Sequence, residues 1–97
     1  AGSSQTNVPP TVRIKRPATD STARIGRPLK IVAEAFDADG IAKVEFYVNG
    51  TSIGTLTRAS YAMQWTPRSA GTYTLTAVAE DKRGARATSP PVIVTGR

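Results

Sequence analysis

Apolar and polar residues alternate with a period of two along most of the chain, and no stretch carries a helical period. In LKIVAEAF, Leu29, Ile31, Ala33 and Ala35 alternate against Lys30, Val32 and Glu34. KVEFYV sets Val44, Phe46 and Val48 against Lys43, Glu45 and Tyr47, and GTYTLTAVAED sets Tyr73, Leu75, Ala77 and Ala79 against threonines and Val78. Period-two runs of this length predict strands with one buried face. Shorter runs predict four more: VRI at 12–14, a return strand holding Ile53 and Leu56, YAMQW at 61–65, and VIVT after Pro90-Pro91. Seven short strands, turn signals between them and no crossover helix predict an all-β, immunoglobulin-like antiparallel sandwich.

The punctuation agrees. Asn49-Gly50 lies between two apolar runs, and both residues accept the positive φ that a two-residue type I′ hairpin demands. Asn49-Gly50-Thr51 also matches a glycan acceptor, but the hairpin alone explains the pair. Gly54 within the return strand predicts a bulge or irregular edge. Residues 17–27, rich in Thr, Asp, Ser and Gly, read as irregular, and residues 82–85 as a charged turn. The opening stretch AGSSQTNV reads as linker or an expression remnant, which leaves 9–97 as the domain.

Composition narrows what such a sandwich does. The chain has 97 residues, no cysteine and no histidine, and seven acidic residues against thirteen basic ones, for a net charge of +6. One domain with a modest core fits this length. Without cysteine there are no disulfides or thiolate metal sites, and without histidine the commonest general base is missing. Few carboxylates on alternating strands offer little cleft in which to raise a carboxyl pKa, so catalysis is not expected. No apolar run approaches the roughly 20 residues that span a bilayer, and no signal-peptide pattern opens the chain.

The stretch Asp37-Ala38-Asp39-Gly40 is the one motif that resembles a metal loop. An EF-hand beginning at Asp37 wants an acidic fifth position and a glutamate at the twelfth, and Ile41 and Val48 stand there. The simpler reading is a corner: aspartate side chains cap the turn and Gly40 supplies a left-handed residue. A looser calcium site from Asp37, Asp39 and Asp81 is the alternative, and no cofactor is expected. Of six aromatics, Phe46, Tyr61, Trp65 and Tyr73 fall on inward phases. Phe36 and Tyr47 face outward from different strands, which disfavours a coplanar sugar platform. Tyr73 occupies the place of a tyrosine corner. Tyr47 with Val78 and Ile93 forms a modest apolar patch suited to a neighbouring domain.

NVPPTVRIKRP, AEAFDADGIAKVEFYVNGTSIGT, YAMQWTPRSAGTYTLTAVAEDKRGA and SPPVIV together resemble the bacterial immunoglobulin-like modules of large secreted proteins, over roughly residues 7–95. The resemblance implies a non-catalytic spacer or accessory module, secreted or at the cell surface, whose partners are neighbouring domains of a glycoside hydrolase or adhesin. Arg13, Lys15, Arg16, Arg83 and Arg86 stand where such modules commonly carry Thr, Ser or Asn. If the first strand pairs with the second, Arg13, Lys15 and Lys30 share an outer face. That face, with Tyr47 as a further candidate contact, suits an anionic polysaccharide or cell-surface polymer. Interleaved exposed aromatics and a reading helix are absent, so specific nucleic-acid binding is not expected.

Overall fold

The computed structural model describes residues 9–97, so the expected linker at 1–8 lies outside the described residues. Nine strands follow one another: β1 (Thr11–Arg16), β2 (Ser21–Ala23), β3 (Leu29–Phe36), β4 (Ile41–Val48), β5 (Thr51–Leu56), β6 (Tyr61–Trp65), β7 (Gly71–Asp81), β8 (Arg86–Thr88) and β9 (Val92–Gly96). One sheet has the order β1-β3-β6; the other runs β2-β9-β7-β4-β5, with β8 beside β7. No helix occurs among the described residues.

All seven predicted strands are present, and two three-residue strands join them. β8 extends the charged turn after Asp81 and pairs antiparallel with β7. β2 pairs parallel with β9, the one departure from an antiparallel plan. Three residues are too few to show a period, and turn-forming neighbours hide them. The backbone donor Asp20 N–H bonds Ile93 O at 2.7 Å and fixes where β2 begins.

The core is the inward set of the alternating strands. Ile31, Val44, Phe46, Leu75, Ala77, Ala79 and Val94 are essentially inaccessible, with Ile14, Ala33, Val48, Tyr61 and Val92 around them. Trp65 departs from the expected burial: it packs against this core but is only half-buried, because β6 is an edge strand. Phe36 faces outward as expected and is 71% exposed.

The Asn49-Gly50 hairpin forms with φ of 52° and 82°, the left-handed pair of a type I′ turn. β4 and β5 slip register between Phe46 and Tyr47, so Ile53 is bulged next to Gly54. Gly54 has a second reason: a Cβ there would stand 2.9 Å from Met63 Cε of the facing sheet.

Register places the two ends of the domain. β1 begins with Thr11 opposite Phe36, at the last residue of β3, and the corner at 37–40 leads into Ile41 opposite Asp81. β9 ends with Gly96 opposite Gly71, the first residue of β7. The backbone therefore enters at one pole and leaves at the other, separated by the eleven residues of β7, roughly 33 Å of strand.

Candidate functional site

The pole where β1 begins holds the acidic cluster. Asp37 Oδ1 accepts the Asp39 N–H at 2.8 Å, Gly40 N–H bonds Asp37 O at 3.0 Å, and Gly40 has φ of 95°. This is the corner predicted from the sequence, built by an aspartate side chain and a left-handed glycine. Asp81 is buried, and its Oδ1 accepts the N–H groups of both Arg83 and Ala85 at 2.9 Å, which shapes the β7–β8 turn. The two turns are stitched together where Lys82 N–H bonds Gly40 O at 3.2 Å.

Asp37, Asp39 and Asp81 each bring a carboxylate oxygen within 4.8 Å of the others, so the fold does assemble the proposed triad. Asp37 and Asp81 accept turn N–H groups, and the Arg83 guanidinium stands 3.5 Å from Asp39 Oδ2.

The basic candidates are partly dispersed. Arg13 lies opposite Glu34 on β3 and pairs with it at 2.6 Å, and Lys15, at the β1 bulge, reaches the other Glu34 oxygen at 3.7 Å. The Arg13 guanidinium and then Lys15 hold the Glu34 carboxyl below its ordinary pKa. Lys30 shares the β3 outer face but sits four residues from Glu34, about 13 Å along the strand, opposite Gln64. Tyr47 lies on the other sheet, opposite Thr76 and Ser52. Its hydroxyl donates to Glu45 Oε1 at 2.9 Å, and Ser52 Oγ donates to Glu45 Oε2 at 2.6 Å. These two bonds lower the Glu45 pKa, Ser52 first, and the Glu45 carboxylate raises that of Tyr47. Thr76 and Thr74 stand in the rows opposite Tyr47 and Ile93, so the expected Tyr47–Val78–Ile93 patch is a threonine-rich face.

Two arrangements had no local signal. Glu34 lies between Arg13 and Lys15 and offsets one of the three positive charges on that face, which only the β1–β3 register reveals. Asn49 is more than a turn former: its N–H and Oδ1 bond Thr74 O and Thr74 N–H at 2.8 and 2.9 Å, tying the hairpin to β7. That bond occupies the oxygen of the amide a glycan would modify.

At the opposite pole, Tyr73 forms the expected corner. Its hydroxyl donates to Ser69 O at 2.6 Å, and its ring meets Trp65 edge-on with centroids 4.8 Å apart. Beside them a groove of about 490 Å³ opens between β5 and β6, floored by Val48, Ile53 and Met63 and rimmed by Gln64, Trp65 and Arg68.

Comparison with known proteins agrees with this architecture. The sequence family described as bacterial Ig domain matches residues 10–77. No curated protein sequence matches the chain. Among solved structures, fibronectin(III)-like modules of Clostridium thermocellum CbhA superpose with a TM-score of 0.84 at 32% identity, covering 89% of this chain and 94% of that one. A Bacteroides ovatus glucan-utilisation protein, SGBP-B, solved in complex with a mixed-linkage heptasaccharide, shares the fold at 18% identity and TM-score 0.63; the match covers 90% of this chain and 24% of that one. A Cellulomonas fimi endo-beta-1,4-mannanase does so at 23% identity and TM-score 0.60, over 92% of this chain and 19% of that one. With seventy per cent of its length inside the family match and a 32% identical relative that covers 89% of it, this chain belongs to the bacterial immunoglobulin-like domain family.

Proposed function

We propose that the domain is a non-catalytic spacer in a larger secreted or surface protein, holding the segments before and after it at opposite poles. One observation carries this reading: β1 starts at the acidic pole and β9 ends at the other, with β7 running the full distance between. A module built so lengthens a chain by its own long axis, without returning the chain to its starting point. The resemblance to fibronectin(III)-like modules supports the same role. So does the chemistry: the residues of the acidic cluster serve turns, and no histidine or cysteine is present to act as base or nucleophile. We assign Asp37, Asp39 and Asp81 to the corner and not to a metal. The Arg13–Lys15–Lys30 face is the weaker candidate for a ligand, since Glu34 already engages two of its three cations.

Small-angle scattering on tandem arrays of one, two and three copies tests the spacer. The maximum dimension should rise by a constant increment of about 35 Å or more per copy, as strand length dictates. Arrays that fold back, with little gain beyond the first copy, would contradict the role.

A further inference from the structure

The pole where β9 ends gathers cations that have no acidic partner. Gly26 N–H bonds Pro67 O at 2.8 Å, Ile25 N–H bonds Arg97 O at 3.3 Å, and Arg97 N–H bonds Ala23 O at 3.0 Å. These bonds tie together three segments, 23–29, 65–72 and 95–97, which carry Arg24, Arg27, Arg68 and Arg97 and contain no Asp or Glu. Among the described residues every ion pair uses Glu34, Glu80 or Asp39, none of which belongs to these segments. Arg16, Lys30, Arg58 and Lys82 also stand outside these pairs; at this pole four exposed guanidinium groups lie on segments that the backbone bonds join.

The groove adjoins this pole, and its rim is chemically unspent. Among the described residues the Trp65 indole N–H and the Arg68 guanidinium have no side-chain hydrogen bond or ion pair, while Gln64, paired with Lys30, belongs to the outer face of β6. Both can donate, and a guanidinium grips a carboxylate through two parallel bonds. Trp65 is half-buried and held by the edge of Tyr73, itself fixed by Ser69, so its ring is positioned in advance. The groove falls within the size range of ligand clefts, with an apolar floor and a few polar groups at the margin. A ligand matching this pair has an apolar ring face and a hydroxyl for the indole and a carboxylate for the arginine.

We propose that the groove between β5 and β6, with Trp65 and Arg68, binds a carboxylated sugar of an acidic polysaccharide, and that Arg24, Arg27 and Arg97 attract the rest of the polysaccharide. This goes beyond the spacer role and does not depend on it. Charge complementarity selects the ligand: a neutral glycan leaves Arg68 unanswered, and a second copy of this chain brings more arginine to arginine. An acidic peptide offers carboxylates but no ring face for Trp65.

Trp65 is the sole tryptophan, so its fluorescence reports the groove directly. The probe is tetragalacturonate, titrated into the parent chain, into Arg68→Ala, and into a control Arg13→Ala/Lys15→Ala. The parent should show a saturable change in emission. Arg68→Ala should bind roughly tenfold more weakly with an unaltered melting temperature, and the control should match the parent, a tenfold change being about 1.4 kcal/mol. A neutral galactose tetramer should bind at least tenfold more weakly than the acid. The proposal is overturned by a silent Trp65 at millimolar ligand, by hexaglutamate producing the same response, or by equal loss in Arg68→Ala and the control.

Discussion

The two poles of this sandwich do opposite things with charge. At the acidic pole, Asp37, Asp39 and Asp81 converge, yet every one is committed: to the Asp39 N–H, to Arg83, and to the N–H groups of Arg83 and Ala85. At the arginine pole, backbone hydrogen bonds join the segments that carry Arg24, Arg27, Arg68 and Arg97, and these segments contain no Asp or Glu. Clustered charge is therefore a poor guide by itself. What distinguishes a corner from a binding surface is whether the clustered groups already have partners within the fold.

If that contrast is right, substitutions at the acidic pole should cost stability and those at the arginine pole should not. The largest effect is expected at Asp81: Asp81→Ala leaves two turn N–H groups without their acceptor and should cost about 2–4 kcal/mol, read from denaturant unfolding. Trp65→Ala should cost about 2–3 kcal/mol, below the 3–5 of a fully buried aromatic, because β6 leaves the ring half-exposed. Gly40→Ala forces a Cβ onto a backbone with φ of 95° and towards Lys82 Cε at 3.1 Å, so about 1–2 kcal/mol should be lost. Arg68→Ala should change stability by no more than about 0.5 kcal/mol. An Arg68 variant as damaging as Asp81→Ala would erase the contrast.

Much of this was legible in the sequence, for reasons that differ by element. β3, β4 and β7 are long enough for their alternation to fix both strand and buried face, and the Asn49-Gly50 turn fixed their neighbours' order. The Asp37–Gly40 corner was legible because side-chain capping is local. β2 and β8, at three residues, carry no period and exist through β9 and β7. Trp65 has the right phase, but phase does not tell an edge strand from a central one. Neither the Glu34 counterion nor the arginine pole has any local signature. The first depends on β1–β3 register, and the second on bonds joining residues 23–27 to 67 and 97.

Two smaller effects sharpen the comparison. If the acidic pole is only a corner, millimolar Ca²⁺ should leave the melting temperature unchanged. A true site would add about 2.7 kcal/mol at a hundredfold excess over its Kd, and a rise abolished by Asp39→Asn would make the corner a site. The pairing of Glu34 with Arg13 should give a slight acid sensitivity. Its folded pKa lies below the unfolded value, so its contribution is present above the unfolded pKa and fades as pH falls through the folded one. Glu34→Gln should flatten that portion of the stability profile, and an unchanged profile would show the pair to be inert.

The most direct test of the division between poles is an amide chemical-shift map of the ¹⁵N-labelled domain titrated with tetragalacturonate. Shifts should concentrate at Trp65, Arg68 and the 24–27 turn, while residues 37–40 and 81–85 stay silent. Shifts centred on Arg13 and Lys15, or spread evenly over all basic residues, would contradict the account.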